Sequence, residues 1–154
     1  MPDVATGTAA NVLSLCSVAP GHGAIYCHQD SHIAVDECNA PEFFTGGAKL
    51  VLLPGEAGKI DMDALKTSLG QGWRGVQHHP QPAAVSITQA TESGTAYAPD
   101  EVAAIAALCR EHGLRLHMDG ARFANAVAGM NARPADLTWR AGVDVLSFGA
   151  SKNG

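Results

Sequence analysis

The stretch Leu114-Arg115-Leu116-His117-Met118-Asp119-Gly120-Ala121-Arg122-Phe123-Ala124-Asn125 decides the fold. Apolar and polar residues alternate from Leu114 to Met118, the period of a strand, and the strand runs straight into a carboxylate and a Gly-Ala-Arg turn. Asp119 therefore stands at the carboxyl end of a strand, where open α/β sheets place their ligands. The stretch Ser147-Phe148-Gly149-Ala150-Ser151-Lys152-Asn153-Gly154 has the same form. A strand predicted over 144–148 stops at small residues and delivers Lys152, with no other lysine nearer than Lys66.

Working outward, strands and helices alternate along the whole chain. Val12, Leu13, Leu15 and Cys16 recur at helical spacing over 9–18, a helix that Thr8 is expected to cap and Pro20-Gly21 to stop. A strand at 24–27, a helical stretch over 33–44 and a strand at 49–53 follow, punctuated by Gly46-Gly47 and Pro54-Gly55. Asp61 caps a helix over 62–69. Residues 70–82 read as a loop containing a short strand at 76–78, and 84–88 as a compact apolar strand. Pro99-Asp100-Glu101 opens a helix that runs to His112-Gly113, with proline in its first turn and acids at its positive end. Helices over 122–128 and 134–141 complete the series. This alternation predicts one α/β domain, a mostly parallel sheet with helices on both faces.

Composition narrows the function classes. The 154 residues are 46% hydrophobic and 16% charged, enough for one proper core. The net charge of −5 and the scattered ten basic residues offer no footprint for nucleic acid or an anionic membrane. No apolar run reaches membrane-spanning length, and Met1-Pro2-Asp3 lacks the basic start of a signal peptide, so a cytoplasmic location is expected. Cys16, Cys27, Cys38 and Cys109 fall inside apolar-periodic segments and read as reduced thiols. Cys27, His28, His32 and Cys38 are all ligand types within twelve residues, but their spacing matches no usual zinc pattern, and Cys27 should point into the core beside Ile25. No metal is expected.

An acid and an amine on neighbouring strand ends, with little bulk around the amine, is the pairing that pyridoxal 5'-phosphate (PLP) requires: the amine forms a Schiff base and the acid keeps the pyridine nitrogen protonated. The same residues also read as a helix N-cap and a solvated lysine. Gly7-Thr8 at a helix start offers backbone N–H groups, a favourable dipole and a hydroxyl to an anion, or is simply a capped helix. Neither a Walker loop nor a Gly-x-Gly-x-x-Gly fingerprint is present.

Taken together, Thr6-Gly7-Thr8-Ala9-Ala10-Asn11, Asp30-Ser31-His32-Ile33, Ala34-Val35-Asp36-Glu37-Cys38, Gly46-Gly47-Ala48-Lys49-Leu50, His117-Met118-Asp119-Gly120-Ala121-Arg122 and the block from Ser147 to Gly154 resemble the bacterial low-specificity L-threonine aldolases, PLP enzymes of the aspartate-aminotransferase fold in the β-eliminating lyase group. The resemblance runs in unbroken order through nearly all 154 residues. It implies that Lys152 carries the cofactor, that Asp119 pairs with its ring nitrogen, and that Gly7 and Thr8 hold its phosphate. His32 matches the histidine that stacks on the ring and handles the substrate hydroxyl proton. Arg122 matches an arginine near the cofactor oxygen and the substrate carboxylate, a partner suited to its fork geometry.

The implied activity is retro-aldol cleavage of L-threonine-type and L-allo-threonine-type β-hydroxy-α-amino acids to glycine and an aldehyde. Another enzyme of the same fold, a β-eliminating lyase or an aminotransferase, and a non-catalytic remnant are the alternatives. Family members continue beyond both ends of this sequence, so residues 1–154 read as an incomplete PLP-binding large-domain core without the C-terminal small domain. The isolated chain is expected to be poorly soluble or partly molten and to show no threonine cleavage, and the full-length form to be a homo-oligomer, dimer or tetramer.

Overall fold

A computed structural model describes residues 3–71 and 73–152; Gly72 of the predicted loop, and Asn153 and Gly154 of the second motif, lie outside the described residues. Five strands form one sheet, β1 (Gly23–His28), β2 (Lys49–Leu53), β3 (Gln81–Thr88), β4 (Arg115–Gly120) and β5 (Val145–Phe148), in the order β2-β1-β3-β4-β5. Every pairing is parallel. The helices are α1 (Gly7–Val18), α2 (His32–Val35), α3 (Ala40–Phe44), α4 (Met62–Leu69), α5 (Pro99–Glu111) and α6 (Phe123–Met130), with a 3-10 turn at Pro134–Leu137. Among the described residues, no helix is long and apolar enough to cross a membrane.

Because side chains alternate across a strand, the central strands bury two different surfaces. On one face Tyr26, Val85, Ile87, Leu116 and Met118 pack against Leu65 and Leu69 of α4, Val102 and Ile105 of α5, and Phe123 of α6. On the other, Ile25, Cys27 and Ala84 meet Leu15 of α1 and Ile33 of α2, so Cys27 does share the core with Ile25. Further along this second face the sheet turns polar. The register places Ser86 beside His117, Thr88 beside Asp119, and Asp119 beside Ser147. All five are buried under the helix-covered sheet, and burial of such groups is tolerated only where they bond to one another.

Four local expectations are corrected. The N-cap of α1 is Thr6 rather than Thr8: the Thr6 hydroxyl accepts from the Ala9 N–H at 3.1 Å, and Gly7 and Thr8 form the first turn. The predicted helix over 33–44 is two short ones, separated by Cys38 and Asn39 at φ +51° and +57°. Pro41 explains the break, since proline has no N–H for a continuing helix but fits the first turn of a new one. No strand forms at 76–78. Instead Gln81 closes that loop, its amide donating to the carbonyls of Trp73, Val76 and His79 while its oxygen accepts from Gly75 N–H. The helix over 134–141 shortens to Pro134–Leu137, where Thr138 leaves the helical region. By contrast α4 has the predicted bounds, with the Asp61 carboxylate accepting from Ala64 N–H at 2.7 Å.

Candidate active site

The strand order reverses between β1 and β3, and in open α/β sheets the crevice for a ligand lies at the carboxyl ends of the strands near such a point. A cavity of about 410 Å³ is found there, in the size range of small-molecule sites. Thr88, Asp119 and Ser147 enter it from the ends of β3, β4 and β5, His32 and Glu37 from the segment after β1, and Gly7, Thr8 and Asn11 from the start of α1. Arg122 and residues 148–152, including Lys152, close the remaining side. All six residues singled out in the sequence thus line one cavity, although Gly7 and Lys152 are separated by almost the entire chain.

At the floor, Asp119 is 4% exposed and held at both oxygens. Oδ1 accepts from the Ala121 N–H at 2.9 Å, the turn that follows the strand, and Oδ2 accepts from Asn11 Nδ2 at 2.9 Å. The same Asn11 nitrogen donates its other hydrogen to Glu37 Oε1 at 2.7 Å. Glu37 Oε1 in turn lies 2.9 Å from His32 Nδ1. A carboxylate, an amide, a second carboxylate and an imidazole therefore form a continuous chain along the cavity wall. Loss of water around the Glu37 carboxyl raises its pKa and the Asp119 charge adds to the rise, while the hydrogen bonds from Asn11 and His32 pull it down. Two atoms of this chain, Asn11 Oδ1 and Glu37 Oε2, are buried without a hydrogen-bond partner among the described residues.

Behind Asp119, His117 is fully buried between hydroxyls, with Nδ1 at 2.8 Å from Ser86 Oγ and Nε2 at 2.9 Å from Ser147 Oγ. Ser147 Oγ continues to Ser14 Oγ of α1 at 3.1 Å. Burial pushes the His117 pKa down to about 4 against the opposing Asp119 charge, so the ring is neutral at physiological pH.

At the mouth, the helix N-terminus faces the cavity. The first backbone bond of α1 runs from Ala10 N to Thr6 O, which leaves the N–H groups of Gly7 and Thr8 upstream of the helical ladder. A Cβ on Gly7 would meet nothing within 4 Å, and no positive φ is recorded there. The protein's own packing therefore does not demand glycine at that position. The space a Cβ would occupy there is open, at a residue that lines the cavity.

Asn11 and Glu37 carry the connections of this site, yet their neighbours alone give them no role. The available signal for Asn11 was a polar residue beside Val12 on the buried side of a helix. For Glu37 it was an acid five residues after His32 in a segment too short for a solvated helix face.

A model of the beta-eliminating lyase family matches residues 3–154. The chain is 49% identical over 148 residues to the low specificity L-threonine aldolase of Pseudomonas aeruginosa, covering 96% of this chain and 42% of that protein. A probable low-specificity L-threonine aldolase 2 of Arabidopsis thaliana is 28% identical over 126 residues, covering 80% of this chain and 35% of that one. Among solved structures, a threonine aldolase of Leishmania major superposes with a TM-score of 0.85 at 32% identity, covering 96% of this chain and 42% of its own. An archaeal alanine:glyoxylate aminotransferase, at 17% identity and a TM-score of 0.66 over 95% of this chain and 35% of its own, shares the fold alone. The chain spans about two fifths of the length of the Pseudomonas relative, 42%. With a model of the family matching residues 3–154, this chain belongs to the beta-eliminating lyase family.

Proposed function

We propose that these residues form the PLP-binding core of an aldehyde-lyase that cleaves β-hydroxy-α-amino acids of the threonine and allo-threonine type to glycine and an aldehyde. The observation that carries this proposal is the set of groups on one cavity: an amine at Lys152, a carboxylate at Asp119, a helix N-terminus with the Thr8 hydroxyl, the His32 imidazole and the Arg122 guanidinium. That donor set fits a phosphorylated pyridine aldehyde, and the space left open at Gly7 fits a phosphate approaching the backbone. Identity to a low specificity L-threonine aldolase along 96% of the chain supports the choice of reaction.

When bound, PLP supplies a sink for the electron pair released at the substrate Cα. Lys152 is the residue that would hold its aldehyde carbon, Gly7 and Thr8 its phosphate, and Asp119 its ring nitrogen. The Asp119 carboxylate, fixed at both oxygens by Ala121 N–H and Asn11, stays aimed and costs no rearrangement when a positive partner arrives. His32, about a third exposed on the cavity wall, accepts the proton of the substrate hydroxyl. Arg122, exposed at the mouth, receives the substrate carboxylate. The full-length protein is proposed to act as a cytoplasmic homo-oligomer, supported by exposed apolar side chains at Phe43 and Phe44.

Borohydride treatment with PLP, followed by peptide mapping, should place the pyridoxyl label on Lys152. Lys152→Ala should abolish the label while Lys49→Ala and Lys66→Ala retain it. In the full-length protein, Asp119→Asn should lower glycine release from threonine by several orders of magnitude. A label on another lysine, or a loss within about tenfold, roughly 1.4 kcal/mol, refutes the assignment.

A further inference from the structure

We propose that Glu37 is a positioning residue for His32: its buried Oε1 fixes the imidazole as the Nδ1–H tautomer, and Asn11, braced on Asp119, fixes that oxygen. For the consequence in catalysis, this deepens the aldol-cleavage proposal above; the tautomer itself does not depend on it.

The donor and acceptor inventory of the cluster points one way. An amide nitrogen only donates, so the 2.7 Å contact from Asn11 Nδ2 makes Glu37 Oε1 an acceptor. His32 Nδ1 shares that oxygen at 2.9 Å, and the favourable way to share it is to donate as well. A second lone pair on Oε1 is available for this. The arrangement holds whether or not Glu37 is ionised, because Oε2, buried and without a partner among the described residues, can carry the proton while Oε1 continues to accept. With Nδ1 protonated, the neutral ring has its lone pair at Nε2, which makes no hydrogen bond to the described residues. Nε2 is then the atom that accepts a proton in the cavity.

The clamp is rigid on both sides. The Glu37 side chain has no exposed surface, and the Asn11 amide is 108 residues from the Asp119 it braces against. The His32 backbone is tied separately, its N–H donating to Glu92 Oε1 at 2.8 Å. Ring and backbone are thus held by different carboxylates, so loss of Glu37 releases the ring without releasing the segment.

The test is nitrogen-15 NMR of the histidine side chains of the full-length PLP-free protein at about pH 8.5, where exposed imidazoles are neutral, with His32→Gln used to assign the resonance. His32 Nδ1 is expected to be protonated and Nε2 bare. Glu37→Gln retains this pattern, because Asn11 Nδ2 opposes an amide nitrogen at the Oε1 position and keeps an oxygen there. Glu37→Met, of similar length but with no comparable acceptor, shifts the ring toward the Nε2–H form. In the full-length enzyme Glu37→Met lowers kcat for threonine cleavage at least about tenfold with KM little changed, within the range for a misaligned general base. An Nε2–H tautomer in the unsubstituted protein, which would mean that Glu37 donates from Oε1, overturns the proposal without any variant having to fold. So does an unaltered tautomer in Glu37→Met, or its loss in Glu37→Gln. A correct tautomer together with no glycine from threonine would instead count against the aldolase reading alone.

Discussion

His117 shows how a single buried side chain sets a pH limit on the fold. Its ring sits between Ser86 and Ser147 and its pKa falls from the ordinary 6.5 to about 4 because burial disfavours the cation. Below pH 6.5 the unfolded chain takes up a proton that the folded chain refuses, so stability drops as pH falls from 6.5 toward 4 and is unaffected by this group above 6.5. The full loss is of the order of 3 kcal/mol. Glu37 acts in the opposite sense, since a raised carboxyl pKa favours the folded state as pH falls. Comparison with His117→Asn, in which Glu37 remains, separates the two. Urea unfolding at pH 7.5 and 4.5 should show a smaller loss in the variant, and equal losses would assign the pH dependence to other groups. The placement of Asp119 at the end of β4 and of Lys152 after β5 was legible from sequence because a strand and its end are local signals. The partnership of Asn11 with Asp119 was not, since nothing within a few residues of either shows what packs 108 positions away.

At the scale of elements, Gly120 joins β4 to the site more tightly than its turn alone requires. A Cβ there would lie 2.8 Å from the Ser147 carbonyl oxygen and from Leu146 Cδ1, and 3.2 Å from Phe123 Cβ. The leucine can turn aside, but the backbone oxygen cannot. Gly120→Ala should therefore force β5 outward, costing about 1–3 kcal/mol and weakening PLP binding through the displaced Ser147 and the residues behind it. A thermal melt and a PLP titration check this, and unchanged values in both would mean that the strands have slack. Element prediction succeeded where the signals were local: Asp61 and the apolar spacing fixed α4, and Pro99 with Glu101, whose carboxylate accepts from Ala98 N–H at 2.7 Å, fixed the start of α5. It failed over 33–44, where the apolar rhythm continued through the left-handed residues Cys38 and Asn39, and over 76–78, where Gln81 supplied the bonds that a neighbouring strand would have supplied.

For the whole molecule, alternation of strands and helices was enough to give a parallel sheet covered on both faces. The strand order was not readable, because it depends on which side of the existing sheet each new strand is added, and that is decided by packing. The order β2-β1-β3-β4-β5 brings α1 against β5, with Ser14 bonded to Ser147 across 133 residues. During synthesis this has a temporal meaning. The large core beneath α4 and α5 can begin to close while β5 is still being made, but the contacts of α1 with β5 have to wait for that strand, and contacts of such long sequence separation are the slow ones. On stalled ribosomes, α1 should stay open to protease until β5 has left the exit tunnel, and protection of α1 at shorter lengths would disprove this order. The cavity that Gly7 and Lys152 share can then take shape only after every residue from 7 to 152 has been made.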